Sequence, residues 1–308
     1  MNKPSRFSSS EVPGAKSRYD DFVAVHMNQT FAIHATANFL SWHRLYTWTF
    51  ENALRDECGY KGYQPYWNWG RWAMDPLNSP LFDGSDTSLS GNGVYAEHGC
   101  TNALPSNLNC IPPSNGGGCV DSGPFKNMTV NLGPAGSAFT PTVPIPNPIG
   151  FYGHNPRCLR RDISSWVSSQ YSTDHETWDL LTNYNKDIVT FQDRMQGDFA
   201  AGYYGVHSAG HYTLNGDPSS DFFVSPGDPA FWLHHGQIDR VWWMWQNGDP
   251  ATRTKAIGGT ITLGNTPPSR DGQLDDVLDM GILGDSMIIE KSMSTIGMTG
   301  GPFCYIYV

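Results

Sequence analysis

The 308-residue sequence predicts a mainly α-helical fold with long loops and a few short strands. Apolar residues recur at steps of three and four along residues 39–58 and again along residues 228–246, which places them on one face of a helix. Residues 70–150 are instead rich in Gly, Pro, Ser and Asn, a composition typical of surface loops. No linker separates two cores, so we expect a single domain over residues 1–308.

The charge of the chain disfavours several classes of partner. Lys and Arg number 19 and Asp and Glu number 29, which gives a formal net charge of −10 without any basic run. Such a surface disfavours nucleic acid and anionic membranes as partners. No apolar stretch is long enough to span a bilayer. We expect a monomer or a weak homo-oligomer that acts on small molecules.

The cysteines and two sequons indicate the compartment. The even number of cysteines predicts three disulfide bonds, formed among Cys58, Cys100, Cys110, Cys119, Cys158 and Cys304. Asn28 and Asn127 each begin an Asn-x-Thr sequon, which predicts glycosylation at both. Together these features predict a secreted, extracellular protein. Met1 is followed by polar residues and not by an apolar signal, so we expect a processed or truncated chain.

Two helical patterns near the amino terminus carry histidines. The first holds His26, and the second, residues 39–58, holds His43 on its inner face, with His34 between them. On one continuous helix, neighbouring histidines of this set would be roughly 12–13 Å apart along the axis, too far to share an ion. A common site therefore needs a break in the helix, and residues 28–38 predict a loop there.

The carboxyl-terminal half holds further helical patterns. They cover residues 160–167, residues 173–176 with the spacing of a capping box, residues 185–195, and residues 228–246. In the last stretch Pro229 fixes the start of the helix, and His235 and Asp239 lie one turn apart on one face. After residue 247, polar alternation of Thr, Ile and Gly predicts short strands.

The histidines predict a metal site. His207 and His211 lie one helical turn apart, so one face presents both imidazoles at a separation that a metal ion can bridge. Any one of these residues could equally be a hydrogen-bonded core histidine. With His235 they make three imidazoles, and the three amino-terminal histidines make a second set. Imidazoles without carboxylate or thiolate favour copper and tolerate zinc, whereas calcium and magnesium prefer oxygen ligands.

Four motifs together carry a more specific signal. They are His34-x8-His43-Arg44, Pro65-Tyr66-Trp67-Asn68-Trp69, His207-x3-His211 and residues 228–245. With these motifs the chain resembles, over nearly its full length, the core domain of the tyrosinase and catechol oxidase (polyphenol oxidase) family of type 3 copper proteins. Within that family it is most similar to the short fungal catechol oxidases.

The resemblance implies a central four-helix bundle that holds a dinuclear copper site, in agreement with the four helical patterns that carry histidines. The ligands that it implies are His26, His34 and His43 for the first copper, and His207, His211 and His235 for the second. In the family the second histidine of the adjacent pair is the ligand, so His235 is chosen over His234.

The resemblance also implies an activity, the oxidation of o-diphenols to o-quinones with dioxygen as co-substrate, with o-aminophenols as a further class of substrate. Asp239 is the candidate acceptor that orients a ligand imidazole, and Phe231 and Trp232 are candidates to pack against the ligands. Tyr212, directly after a ligand, is a candidate to shape the access of phenolic substrates. The Tyr305-x-Tyr307 sequence resembles the motif that closes the catalytic core in fungal members. No shielding domain follows it, so an accessible site is expected.

Three positions depart from the family pattern. Some members have a cysteine two residues before the second ligand, joined to it by a thioether; here that residue is Ala32, so no cross-link is expected. Tyrosinases that act on monophenols commonly pair a glutamate with an asparagine near the second copper. Those positions correspond here to Gln196 and Ser208. A neutral amide is a poor base, so oxidation of o-diphenols is preferred over hydroxylation of monophenols.

Other functions are less favoured. A tyrosinase with monophenol hydroxylase activity is the first alternative, and a haemocyanin-like oxygen carrier is a more distant one. A dinuclear zinc hydrolase is disfavoured because such sites generally want a carboxylate close by. The remaining histidines are expected to be structural, namely His98, His154, His175 and His234.

Overall fold

The computed structural model describes residues 1–101, 110–135 and 146–308, and in these ranges the protein is mainly α-helical, as predicted. The helices are α1 Arg18–Ile33, α2 Phe39–Cys58, α3 Ser165–Tyr171, α4 Asp174–Asn183, α5 Ile188–Gln196, α6 Gly205–Leu214, α7 Ala230–Gly248, α8 Pro250–Arg253 and α9 Ile289–Ser292. The strands are β1 Gly93–Tyr95, β2 Gly117–Val120, β3 Thr129–Val130, β4 Arg157–Cys158, β5 Val277–Leu278 and β6 Met287–Ile288. They form antiparallel pairs β1–β2, β3–β4 and β5–β6.

Helix α1 is longer than the sequence pattern predicted. It starts at a capping box in which the side chain of Ser17 accepts from the amide of Asp20 and the Asp20 carboxylate accepts from the amide of Ser17. It then continues through the region predicted as a loop and ends at Ile33. The break is confined to residues 34–38, where His34 is extended and Ala35 has a positive φ of 47°. Helical hydrogen bonding wins over the turn preference of the Asn and Thr residues.

Helix α2 follows the prediction closely. It ends at Cys58, and Gly59 takes a left-handed conformation (φ 73°) that lets its amide cap the carbonyl of Leu54. One face of α2 is buried against α7 and α1. Between α2 and α7 the rings of Phe50 and Trp232 stack with centroids 3.6 Å apart. The aromatic residues of the sequence therefore form the core between the histidine-bearing helices.

The start of α7 is fixed by a buried ion pair. Asp228 accepts from the amide of Ala230, just beyond Pro229, and its carboxylate also receives Arg161 at 2.7 and 2.9 Å. Both Arg161 and Asp228 are 0% exposed. Helix α7 packs against α6 as well as α2. The four-helix bundle as such remains a prediction from the family resemblance.

The number of disulfides and the chain after residue 248 both differ from the predictions. The described residues contain two disulfides, Cys100–Cys110 and Cys119–Cys158, and not three, because Cys58 and Cys304 are exposed free thiols. After residue 248 the chain forms the short helices α8 and α9 beside the two-residue strands β5 and β6. Both sequon asparagines are exposed, so their glycosylation remains a prediction. None of the helices in the described ranges has the length and apolar character that a membrane crossing requires.

Candidate metal centre

The first three histidines meet although only two of them lie on helices. His26 is on α1, His43 on α2, and His34 is the residue that ends α1. Their potential ligand atoms all lie within 4.8 Å of one another. The sharp turn after His34 therefore brings together imidazoles that one continuous helix would separate.

Each ring of this set is held by a backbone carbonyl. Nδ1 of His26 donates to the carbonyl of Phe223 at 2.8 Å, Nδ1 of His34 to that of Thr30 at 2.9 Å, and Nδ1 of His43 to that of Phe39 at 2.8 Å. Because a carbonyl only accepts, these bonds place the proton on Nδ1 and leave the lone pair on Nε2. The Nε2 atoms of His26 and His43 are buried without a hydrogen-bond partner. Imidazole rings that are held through Nδ1 and keep Nε2 without a partner are suited to bind a metal ion.

The second set lies on α6 and α7. His207 and His211 are one turn apart on α6, and His235 faces them from α7. The Nε2 atoms of His211 and His235 are 3.4 Å apart, and Nε2 of His207 is buried without a partner. The Nδ1 of His235 is also buried without a partner, so no other hydrogen bond fixes which of its nitrogens carries the lone pair. The rings of His43 and His235 stack at 4.5 Å, so the two sets adjoin.

His234 belongs to the same cluster of potential ligands, but its ring has another partner. Its Nε2 donates to the carbonyl of His207 at 2.8 Å. The ring also lies against α6 at Gly210, where an added Cβ would collide with it. His234 thus ties α7 to α6 through Nε2, while its Nδ1 is buried without a partner. The choice of His235 over His234 as the ligand stays a prediction.

Burial keeps these imidazoles neutral. It lowers the pKa of His34 to about 4 and that of His234 to about 3. Burial, with the neighbouring imidazoles as a smaller cause, also lowers the pKa well below its ordinary value for His26, His43, His207, His211 and His235. Neutral imidazole is the form that binds a metal.

The predicted role of Asp239 is wrong. Its carboxylate accepts from Arg44 Nε, from the hydroxyl of Tyr305 at 2.6 Å and from that of Tyr307, and from no ligand imidazole. Carbonyl oxygens orient the ligand rings instead. The guanidinium of Arg44 also lies 3.7 Å from the ring centroid of Trp242. Asp239 therefore joins α2 and α7 to the carboxyl-terminal tyrosines.

The two aromatic candidates on α7 have different positions. Phe231 stacks on His235 with centroids 4.1 Å apart and also lies 5.6 Å from His26, so it packs against both sets. Trp232 packs in the core against Phe50. The three other histidines that were expected to be structural belong to neither set: His98 contacts Asp162 and His154 contacts Asn131, both at about 3.3 Å or less, and His175 is exposed.

A cleft of about 710 Å³ leads to the histidines. His34, His207 and His211 lie in its wall together with three residues singled out from the sequence, Gln196, Ser208 and Tyr212. The remaining lining is largely aromatic or small and includes Phe31, Phe199, Phe222, Phe223 and Leu263. The cleft has the size of a site for a small molecule.

Gln196 and Ser208 are both neutral and both engaged. Gln196 is 8% exposed; its Oε1 accepts from the amide of Ala35 at 2.8 Å, and its Nε2 donates to the carbonyl of Gln192 at 3.2 Å. The hydroxyl of Ser208 donates to the backbone carbonyl of Gln196 at 2.7 Å. Neither side chain offers a carboxylate to the cleft.

The sequence did not reveal the role of Phe222 and Phe223. The ring of Phe222 lies 4.6 Å from that of His34, and the carbonyl of Phe223 orients His26. Both belong to the loop between α6 and α7, which has no periodic pattern. The only available signal was the pairing of two aromatic residues within an otherwise small and polar loop.

The donor set fits copper. Both groups of potential ligands consist of histidine alone, with no carboxylate or cysteine among them. Nitrogen ligands of this kind suit copper, zinc or iron and not calcium or magnesium. Two adjoining sets of imidazoles would suit two ions.

Comparison with known proteins identifies relatives over the whole chain. The family described as "Common central domain of tyrosinase" matches residues 16–248. "Tyrosinase P" of Aspergillus terreus is 41% identical over 99% of this chain and 85% of its own. N-acetyl-6-hydroxytryptophan oxidase of Emericella nidulans is 38% identical, over 99% of this chain and 84% of its own. A mutant polyphenol oxidase from Thermothelomyces thermophila has a solved structure that superposes with a TM-score of 0.91 at 44% identity, over 99% of this chain and 82% of that one.

Proposed function

The chain belongs to the tyrosinase family of copper oxidases, and on that premise we propose that it is a catechol oxidase. The proposed reaction is the oxidation of o-diphenols to o-quinones with dioxygen, with o-aminophenols as a second class of substrate. Hydroxylation of monophenols is proposed to be slow or absent. The six-histidine site and the neutral pair Gln196 and Ser208 support this proposal.

The neutral side chains of Gln196 and Ser208 favour catechol oxidation over monophenol hydroxylation. A catechol needs only to lose two electrons and two protons, whereas a monophenol must also gain an oxygen atom on its ring. Deprotonation of the monophenol calls for a base close to the metal site, and a carboxylate serves much better than an amide. Here the amide oxygen of Gln196 is already used by Ala35, and Ser208 points to a backbone carbonyl.

The chain's own residues position the reactants. Bound copper would supply the electron transfer between two diphenols and one dioxygen, with the four electrons and four protons ending in two waters. The carbonyl-held rings of His26, His34 and His43 present Nε2 without reorientation, and His207, His211 and His235 face them from α6 and α7. Phe231 packs against His26 and His235, and the aromatic residues of the cleft would contact the diphenol ring.

The test compares phenol and catechol as substrates of the copper-loaded protein. The proposal predicts turnover of catechol under air and little or no turnover of phenol. Rapid phenol turnover after a lag would instead identify a tyrosinase. Reversible oxygen binding without turnover of catechol would identify a haemocyanin-like carrier.

The proposal also covers the compartment and the assembly of the protein. We propose a secreted glycoprotein with a single tyrosinase-like core domain, since the two disulfides suit an oxidising compartment and both sequon asparagines are exposed. A monomer or weak homo-oligomer is proposed. Secretion from a fungal host, a mass decrease on treatment with a peptide N-glycosidase, and light scattering of the purified protein test these points.

A further inference from the structure

We infer that the outer part of the cleft binds an uncharged, apolar substituent on the diphenol ring, so the preferred substrates are neutral catechols with a bulky apolar or aromatic group. This inference rests on the proposed catechol oxidase activity and names its substrate class. It excludes free amino-acid diphenols and diphenol carboxylates as good substrates. Three features of the cleft carry it.

The first feature is an aromatic path from the histidines to the surface. Phe222 lies 4.6 Å from His34 at the inner end, and Phe223 follows it at 5.7 Å. Phe31 then packs edge-on against Phe223 at 5.2 Å and is itself 61% exposed. Phe31 lines the cleft together with these rings and extends its apolar wall beyond the space that a single catechol ring fills.

The second feature is a fixed loop that completes this wall. Leu263 and Gly264 line the cleft, and the loop that carries them is bound to the turn after His34. The amide of Gly264 donates to the carbonyl of Ala35 at 3.3 Å, and the amide of Ala37 donates to the carbonyl of Thr260 at 2.9 Å. The backbone that carries Leu263 is therefore held in place before substrate binds, which lowers the entropic cost of binding.

The third feature is the charge of the lining. Among the described residues, no Lys, Arg or Glu lines the cleft, and its one acidic side chain, Asp221, is 0% exposed. The Asp221 carboxylate accepts from the amides of Ala135, Phe223 and Val224. In sequence, residues 102–109 and 136–145 contain no Asp, Glu, Lys or Arg either. A charged substituent would lose water in the cleft without gaining a partner, which is strongly unfavourable.

The first experiment compares pairs of substrates in which a small added group removes the charge of the substituent. For the copper-loaded protein at pH 7, kcat/KM is measured for caffeate and methyl caffeate, and for dopamine and N-acetyldopamine, with catechol as the reference. The neutral member of each pair is expected to be better by roughly tenfold or more, as for other contacts that discriminate in apolar pockets. Equal values within both pairs would overturn the inference.

The second experiment removes the outer wall. Phe31→Ala is expected to lower the ratio of kcat/KM for methyl caffeate to kcat/KM for catechol by roughly tenfold, because catechol lacks the substituent that contacts Phe31. Trp178→Ala is the matched control, since Trp178 is 67% exposed and lies outside the cleft lining. A ratio unchanged by Phe31→Ala, or lowered equally by Trp178→Ala, would contradict the inference.

A third variant reverses the preference for charge. Leu263→Lys places a cation in the wall and is expected to raise kcat/KM for caffeate relative to methyl caffeate by roughly tenfold. No change in that ratio would contradict the role of the wall. If the wild-type protein does not oxidise catechol at all, the proposed function fails. If it oxidises catechol but has equal kcat/KM for the charged and neutral members of both pairs, only the inference about the substituent fails.

Discussion

The side-chain oxygen of Gln196 accepts a hydrogen bond from the backbone amide of Ala35 at 2.8 Å, which ties the end of α5 to the residue directly after His34. Ala35 has a positive φ of 47°, a conformation that residues with a side chain seldom adopt. The contact therefore stabilises the turn that lets His34 join His26 and His43. An amide here serves the backbone and offers no carboxylate to the cleft.

Replacing Gln196 tests both its contact with the turn after His34 and the effect of its neutral side chain on the choice of substrate. Gln196→Glu can still accept from Ala35 and adds a base to the cleft, so the rate with phenol relative to catechol is expected to rise roughly a hundredfold. Gln196→Met fills a similar volume without an acceptor and is expected to lower the unfolding free energy by about 1–3 kcal/mol without that gain. The measurements are initial rates and urea unfolding. An equal rise in both variants would show that the base is not the cause.

A methyl group at Gly210 is expected to disturb the contact between α6 and α7. The added Cβ of Gly210→Ala would collide with the ring of His234, whose Nε2 donates to the carbonyl of His207. We expect a loss of about 1–3 kcal/mol in unfolding free energy and weaker copper retention. Gly99→Ala is the control, because a Cβ there meets nothing within 4 Å. Equal stability of the two variants in chemical unfolding would contradict the packing described.

The network around Asp239 is expected to hold the carboxyl-terminal segment to the helices. Asp239→Ala leaves the guanidinium of Arg44, 1% exposed, without its carboxylate partner. Loss of one partner of such a buried pair typically costs about 3–5 kcal/mol. Lys255 and Glu290 form an exposed pair, so Glu290→Ala is expected to cost at most about 1 kcal/mol. Thermal unfolding of both variants tests this difference, and similar losses would contradict it.

The same network predicts a loss of stability at alkaline pH. Burial, and then the charge of Asp239, raise the pKa of Tyr305 and Tyr307 well above the ordinary value. Folding favours their neutral form, so their contribution is complete below the unfolded pKa near 10 and is lost as pH rises above it. The double variant Tyr305→Phe, Tyr307→Phe is expected to lose less unfolding free energy than wild type between about pH 9 and pH 11. Tyr63→Phe is the control, because Tyr63 is 80% exposed. Equal losses of unfolding free energy in the double variant and in wild type over this pH range would contradict the prediction.

The helical histidines were predictable because their spacing is local. His207 and His211 lie one turn apart in sequence and in the structure, and α2 and α7 end within two residues of the predicted ends, residues 58 and 246. The partners of Asp239 were not predictable from spacing, because Arg44 and the tyrosines come from distant parts of the chain. The expected third disulfide rested on an even count of cysteines, which carries no information about distance.

The contacts that shape the cleft also could not be predicted from the sequence. The carbonyl of Phe223 and the ring of Phe222 act through a loop without a repeating pattern. The loop expected at residues 28–38 was placed too early, because the helical hydrogen bonds of α1 outweigh its turn-favouring residues. Local preferences therefore located the helices and not the exact residue at which they end.

The most direct test of the six-histidine site is the copper-to-protein ratio after copper loading and removal of excess metal. We expect roughly two coppers per chain for wild type, roughly one for His235→Ala, and roughly two for His234→Ala, because the His234 ring is bound to the His207 carbonyl. Two coppers in His235→Ala together with a lost copper in His234→Ala would contradict the assignment of the second site.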